Sequence, residues 1–214
     1  MPFPRIVAVY HGAPNSHTAE KMFQRLKNEV IDSLPVNSRV GLELDWSHPV
    51  LELPPRVKEI FSDRNFFARL ARYAKEKGHT VVWMERPERF LEMEHNHLTE
   101  LENALEKVER ANHETEDGAL AIGKAEEAYT RVGGAPTGTY RTLGMREVIE
   151  NTPNWRGTDV VIAGAVHSHQ LAGFLKKRVW RKVHPFSENV YTVGIRKALK
   201  QEKLSHALFT KIKT

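Results

Sequence analysis

The feature that most constrains this fold is a repeated alternation between short apolar runs and longer segments with helical spacing. Residues 5–11 form a nearly continuous apolar run, and residues 16–34 then carry apolar side chains at helical intervals. The same order recurs with a run at 39–45, a helical segment at 63–77 and another run at 79–85. Strands that alternate with helices form right-handed βαβ units, whose parallel strands are covered on both faces. The sequence therefore predicts an α/β fold with a mainly parallel central sheet flanked by helices.

The second half of the sequence changes character twice. The strand signal is absent between about 87 and 130, where apolar side chains at helical spacing predict a helical insertion. Because the insertion follows the carboxyl end of a strand, we expect it over or beside the crevice at that edge of the sheet. Residues 158–167 then form the clearest strand of the chain. A basic helix near 169–182 and a strand near 189–195 are predicted after it.

Length and composition favour one globular domain. A chain of 214 residues suits a single unit, so we assign residues 1–214 to one domain. The absence of cysteine excludes disulfides, thiolate metal sites and cysteine nucleophiles. The first residues lack the pattern of a secretory signal, and no apolar stretch approaches the length of a bilayer span. We therefore expect a cytoplasmic protein.

The formal net charge of +5 is unevenly distributed along the chain. Residues 85–127 hold 13 acidic and 5 basic side chains, whereas the C-terminal part, 176–214, holds 11 basic and 2 acidic ones. Such a basic part can bind nucleic acid or an anionic membrane surface. Its lysines lack the interleaved aromatic residues of a single-strand binding surface. We therefore favour the interpretation that both charged regions are ordinary solvated helix faces.

Acids and imidazoles stand at the predicted carboxyl ends of the strands, where ligands bind in open parallel sheets. His11 ends the first strand, Glu43 lies near the end of the second, Glu85 ends the third and His167 ends the late one. A single strand-end histidine is usually structural. Glu43 lies within an apolar run, however, and a buried carboxylate requires a cationic, metal or hydrogen-bonding partner. The convergence of these residues indicates one functional site.

Two chemistries suit this set of side chains. Imidazole and carboxylate together bind zinc, manganese, cobalt or iron, so we predict His11, Glu43 and His167 as metal ligands and His169 as a fourth, provided that its segment is extended. Such a metal lowers the pKa of a bound water and supports hydrolysis. In a metal-free alternative, His11 or His167 is the general base, Glu43 orients it, and Arg141 or Arg146 stabilises an oxyanion.

The order of these motifs resembles the TraB/Tiki superfamily, which includes erythromycin esterase-like and haem-uptake ChaN-like proteins. The resemblance rests on Gly-Leu-Glu-Leu-Asp at 41–45, Arg141 with Met145 in a helix, and Gly-Ala-Val-His at 164–167. The first motif matches only in part, since Ala8 stands where the family usually has glycine. The resemblance implies one of three activities: metal-dependent proteolysis, esterase chemistry with a metal-free histidine, or haem binding.

Our leading functional hypothesis is a metal-dependent hydrolase, peptidase-like or esterase-like, that acts on a small-molecule or peptide substrate. In this hypothesis Glu43, Arg141 and His167 are the catalytic residues, and Arg141 binds an anionic substrate or transition state. One alternative is a protein that binds haem or another anionic ligand without turnover. A third interpretation, based on the basic C-terminal part, is an adaptor for nucleic acid or a membrane surface.

Overall fold

A computed structural model describes residues 3–9, 16–44, 51–61, 66–111, 115–132 and 137–183 of the chain. The described residues form a five-stranded, entirely parallel sheet in the order β3-β2-β4-β1-β5. The strands are β1 (Arg5–Val9), β2 (Arg39–Leu42), β3 (Thr80–Trp83), β4 (Val160–Gly164) and β5 (Val179–Val183). This architecture confirms the predicted α/β class.

Helices cover both faces of the sheet. The helices are α1 (Ser16–Glu29), α2 (Pro55–Phe61), α3 (Phe66–Glu76), α4 (Pro87–Arg110), α5 (Glu116–Arg131), α6 (Thr137–Asn151) and α7 (Ala165–Phe174). A 3-10 turn, Ile31–Ser33, follows α1. Helices α1 and α3 pack on one face of the sheet, and α6 and α7 pack on the other. The central strand β4 is therefore buried along its whole length, which explains its unbroken apolar sequence.

The strand order places a crevice between β2 and β4. After β2 the chain continues to β3 at one edge of the sheet, whereas after β4 it continues past β1 to β5 at the other edge. Because the two connections leave in opposite directions, the carboxyl ends of β2 and β4 are not covered by a shared connection. This is the topological switch point at which open α/β sheets bind ligands.

The insertion forms a helical hairpin of α4 and α5 beside that crevice. Pro87 occupies the first turn of α4, where its missing N–H costs no hydrogen bond. Thr115 caps α5 by accepting a hydrogen bond from the backbone of Gly118. Both helices pack on Leu44, which lies just beyond β2, and on the segment that leads into α2. The hairpin therefore lies at the carboxyl edge of the sheet, where we expected it.

Two sequence predictions need correction, and one helix was missed. Strand β4 ends at Gly164 and α7 begins at Ala165, so His167 lies in the first turns of a helix and does not end a strand. The predicted helix at 169–182 ends at Phe174, and Val179–Val183 is instead the strand β5, which pairs with β1. The short helix α2 had not been predicted. The strand predicted at 189–195 lies outside the described residues.

Within the described residues, no helix is both long enough and apolar enough to cross a membrane.

Gly41 permits the close packing of β2 against its neighbours. A Cβ atom at Gly41 would lie 2.6 Å from Sδ of Met84 and 2.9 Å from Cγ2 of Val161. Both neighbours are fully buried, and the branched valine has little freedom to move. Glycine is therefore required at position 41 because a Cβ atom has no room there. Its backbone conformation is ordinary for a strand and does not itself require glycine.

We predict that Gly41→Ala lowers the free energy of unfolding by about 1–3 kcal/mol, because the added methyl group overpacks the core. Gly123→Ala is the matched control, since a Cβ at this position in α5 meets no atom within 4 Å. It should leave the free energy of unfolding unchanged or raise it by up to about 1 kcal/mol, because alanine has a higher helix propensity than glycine. Urea denaturation measures both. Equal stability of the two variants would contradict the assigned packing of β2.

Candidate functional site

Glu43 joins the carboxyl ends of the two central strands. It directly follows β2 and is only 3% exposed. Its backbone N–H donates to the carbonyl of Ile162 in β4 at 3.2 Å. Its carboxylate Oε2 accepts a hydrogen bond from the backbone N–H of Gly164 at 2.5 Å, and Oε1 accepts one from Arg141 at 3.0 Å. The partner that the sequence requires for this buried carboxylate is therefore an arginine together with a backbone amide.

Arg141 brings α6 to the ends of β2 and β3. Its Nε donates to Oε1 of Glu85 at 2.6 Å, and one terminal nitrogen donates to Oε2 of Glu85 at 3.1 Å. The same nitrogen donates to the backbone carbonyl of Leu44 at 3.3 Å. The backbone N–H of Leu44 in turn donates to Oε2 of Glu85 at 2.9 Å. Planar guanidinium and carboxylate groups suit this two-point pairing. Glu85 and Arg141 are both buried, so the pair is shielded from solvent.

The electrostatics of this cluster follow from its burial. Burial raises the pKa of Glu85 because the charged carboxylate loses hydration, whereas the neighbouring Arg141 opposes that rise. Burial by itself would lower the pKa of Arg141, but the charges of Glu85 and Glu43, together with that of Glu94, outweigh it and raise the pKa above its usual range. Arg141 is therefore a permanent cation, held among carboxylates.

His167 approaches the cluster from α7. Its Nε2 lies 3.8 Å from Oε1 of Glu43, and its Nδ1 lies 2.8 Å from the hydroxyl of Thr142. That hydroxyl donates to the carboxamide oxygen of Gln170 at 2.6 Å. His167 is 8% exposed and Thr142 is fully buried. The structure thus brings three of the sequence-predicted residues, Glu43, Arg141 and His167, into one site.

His169 does not share that site. A step of two residues in an α-helix turns by about 200°, so His167 and His169 lie on opposite sides of α7. Burial, with a smaller contribution from the charge of Lys182, lowers the pKa of His169. The predicted role of His169 as a fourth ligand requires an extended segment. The segment is helical, so this requirement is not met.

The remaining predicted ligand, His11, lies outside the described residues. Asp45, which follows Leu44 in the sequence, lies outside them as well. Within the described part of the chain, no group of three or more histidine, aspartate or glutamate side chains is arranged to hold a metal ion. Glu43 and His167 are the two predicted ligands that the structure places together. The sequence prediction of His11 as a further ligand stays a prediction.

Sequence reasoning missed three participants in the site: Thr142, Gln170 and Glu94. Thr142 follows Arg141 directly, and Gln170 lies one helical turn after His167, but neither spacing has meaning before the helices are placed. Glu94 does carry a sequence signal. It lies between Leu91 and Leu98 on the apolar stripe of α4, and the structure buries it completely, with Oε2 3.2 Å from Nδ1 of His97. An acid on an apolar stripe is a marker of buried charge.

Comparison with known proteins finds no matching family model, no matching curated protein and no matching solved structure. The resemblance to the TraB/Tiki superfamily therefore stays a hypothesis based on short motifs. The functional argument has to come from the geometry of the site itself.

We predict that Glu85→Gln lowers the free energy of unfolding by about 3–5 kcal/mol, because it removes the charge that pairs with a buried arginine. The matched control is Glu147→Gln, which breaks the exposed ion pair with Arg89 at 2.8 Å and should cost at most about 1 kcal/mol. Chemical denaturation monitored by circular dichroism measures both values. A Glu85→Gln variant as stable as the control would show that the buried pair does not hold the edge of the sheet together.

Proposed function

We propose that this chain is a metal-dependent hydrolase of the peptidase-like or esterase-like kind, as the resemblance to the TraB/Tiki superfamily implies. The observation that carries the proposal is the pair formed by His167 and Glu43 at the β2–β4 crevice, with Nε2 and Oε1 3.8 Å apart. The proposed substrate is a small molecule or peptide with an ester or amide bond.

The hydrogen bonds around His167 indicate which ring nitrogen carries the proton of the neutral imidazole. The carboxamide oxygen of Gln170 is only an acceptor, so the hydroxyl hydrogen of Thr142 points towards it. The hydroxyl oxygen then accepts from Nδ1–H of His167. This assigns the proton of the neutral ring to Nδ1 and leaves Nε2 as an acceptor that faces Glu43. A second polar group that fixes the tautomer is the usual support for a metal-binding histidine.

The distance and the charge of the pair both fit a cation. Donor atoms that lie ~2.0–2.2 Å from one ion can be up to ~4.4 Å apart, so His167 and Glu43 are close enough to share it. Within the described residues, the buried carboxylates of Glu43, Glu85 and Glu94 all act on the buried guanidinium of Arg141. A divalent cation that accepts nitrogen and oxygen ligands, such as manganese, zinc, cobalt or iron, would be attracted by these carboxylates and would lower the pKa of a bound water molecule towards neutrality.

The role of Arg141 in this proposal differs from the sequence prediction. Its Nε and one terminal nitrogen are directed at Glu85 and Glu43, so binding of an anionic substrate would compete with two buried ion pairs. We therefore propose that Arg141 positions Glu43 and the end of β3. The metal-free alternative, in which His167 acts as a general base, uses the same Nε2 atom and differs in its sensitivity to chelators.

We predict that wild-type protein melts at a higher temperature with added manganese or zinc and that Glu43→Gln loses this rise, because a neutral amide is a poor ligand. The variant should also be less stable by about 1–3 kcal/mol, since Gly164 and Arg141 donate to different oxygens of Glu43 and the amide replaces one of these oxygens with a donor. Thermal melts with and without metal, and hydrolysis of aryl esters and peptides with and without chelator, are the measurements.

Glu147→Gln is the control for this experiment, because it also replaces a carboxylate by an amide but breaks only the exposed ion pair with Arg89 and leaves Glu43 beside His167. It should keep the metal-dependent rise in melting temperature. Retention of the full rise by Glu43→Gln would exclude Glu43 as a ligand. Hydrolysis that resists chelators and still requires His167 would replace the metal proposal with the general-base alternative.

We predict that Thr142→Val lowers metal affinity and hydrolysis by about 10–100-fold, because the imidazole loses the acceptor that fixes its tautomer. Thr142→Ser, which keeps the hydroxyl, should restore most of both. Valine also leaves the buried imidazole of His167 and the half-buried amide of Gln170 without this partner, so we expect a loss of stability of about 1–3 kcal/mol. Metal titration calorimetry separates the two effects. If serine rescues stability but not metal affinity, Thr142 has only a structural role.

A further inference from the structure

A cavity of about 340 Å³ lies beside the site, between the end of β3, the first turns of α4 and one face of α6. It shares Glu85 and Arg141 with the Glu43–His167 site. Its volume falls within the range of small-molecule pockets. The α6 side of the cavity is formed by residues at helical spacing, among them Tyr140, Gly144 and Glu147. The same helix therefore supplies Arg141 and Thr142 to the site and a wall to the cavity.

Among the described side chains that line the cavity, Arg86 is a cation without an ion pair. Arg141 is paired with Glu85, and Arg89 is paired with Glu147 at 2.8 Å. Arg86 also lines the cavity, is exposed, and makes no ion pair with any of the described residues. It stands at the amino end of the 24-residue helix α4, whose N–H groups and dipole add positive potential there. The cavity is therefore suited to a ligand with a single negative charge.

Part of the wall is apolar and aromatic, although Asn151 and Thr152 also line the cavity. Trp83, Met93 and Val148 line the cavity and are each only partly buried by the protein. An aromatic ring and a flexible thioether offer flat and adaptable apolar surface to a ligand. Open space adjoins Gly144 in this wall, because a Cβ atom there would meet nothing within 4 Å. The ligand should therefore carry an apolar or aromatic group next to its charge.

We propose that this cavity binds the end of the substrate that is remote from the reacting bond, and that the substrate is a small molecule with one anionic group beside an apolar or aromatic group. Arg86 binds the anionic group, and Trp83, Met93 and Val148 contact the apolar one. That the ligand is a substrate rests on the proposed hydrolase function. The existence of the binding site does not, because the site requires neither metal nor turnover.

The test is direct binding of two probes of matched shape, 1-naphthoate and the neutral 1-naphthamide, to the metal-free protein by isothermal titration calorimetry. We expect naphthoate to bind about tenfold more tightly, which corresponds to one charge-assisted contact. Arg86→Gln should remove this preference without weakening the binding of naphthamide. Arg178→Gln, a change of another exposed arginine that does not line the cavity, is the control and should preserve the preference.

Two further variants locate the probe. Glu147→Gln releases Arg89 from its ion pair and should tighten naphthoate binding several-fold, a gain that non-specific binding elsewhere would not produce. Gly144→Leu fills the cavity and should abolish the binding of both probes, whereas Gly144→Ala should retain it. Circular dichroism checks the fold of the leucine variant, and Arg86→Gln alone decides the case if that variant does not fold.

The failure of the cavity proposal and the failure of the hydrolase proposal can be told apart. Absence of binding, equal binding of the two probes by wild-type protein, or undiminished binding by folded Gly144→Leu would overturn the cavity proposal. Binding that follows these expectations in a protein without hydrolytic activity would retain the cavity and remove the hydrolase. Hydrolysis without probe binding would do the reverse.

Discussion

The two-point ion pair between Arg141 and Glu85 is the contact on which the rest of the site depends. Glu85 follows β3, and Arg141 belongs to α6, so the pair fixes the helix against the edge of the sheet. The same guanidinium holds Glu43 beyond β2. A buried pair of this kind contributes little net stability by itself, but the loss of one partner strands a charge. Evolutionary replacement of one member alone would therefore disrupt three elements together.

Much of the fold could be predicted because its signals are local. Apolar runs bounded by turn residues located the central strands, and the buried position of Glu43 in such a run required a partner that the structure provides as Arg141. The start of α7 could not be predicted in this way, because the apolar residues 164–166 before His167 are compatible with either a strand or a helix. Strand β5 was missed because Val179–Val183 contains two adjacent basic residues, does not alternate between apolar and polar side chains, and follows a helix without a strong stop.

The side-chain chemistry of the site was harder to predict than its location. The convergence of residues at strand ends follows from topology, whereas the tautomer of His167 depends on Thr142 and Gln170, which lie on two different helices.

Helix α6 gives the site a further property that no linear pattern contains. One of its faces carries Arg141 and Thr142, and the adjacent face carries Tyr140 and Gly144, so one rigid element sets both the reactive groups and the proposed ligand cavity.

The strand order has a consequence for synthesis of the chain on the ribosome. β1 pairs with β4 and β5, and the pairing of Arg5 with Val160 spans most of the described sequence. Neither neighbour of β1 exists until more than 150 residues have been made. The apolar N-terminal strand must therefore wait without its hydrogen-bonding partners while β2, β3 and the helical insertion emerge. Long-range parallel pairing of this kind slows folding and leaves a strand edge open to other chains. Binding by a chaperone during this interval would protect the segment from aggregation.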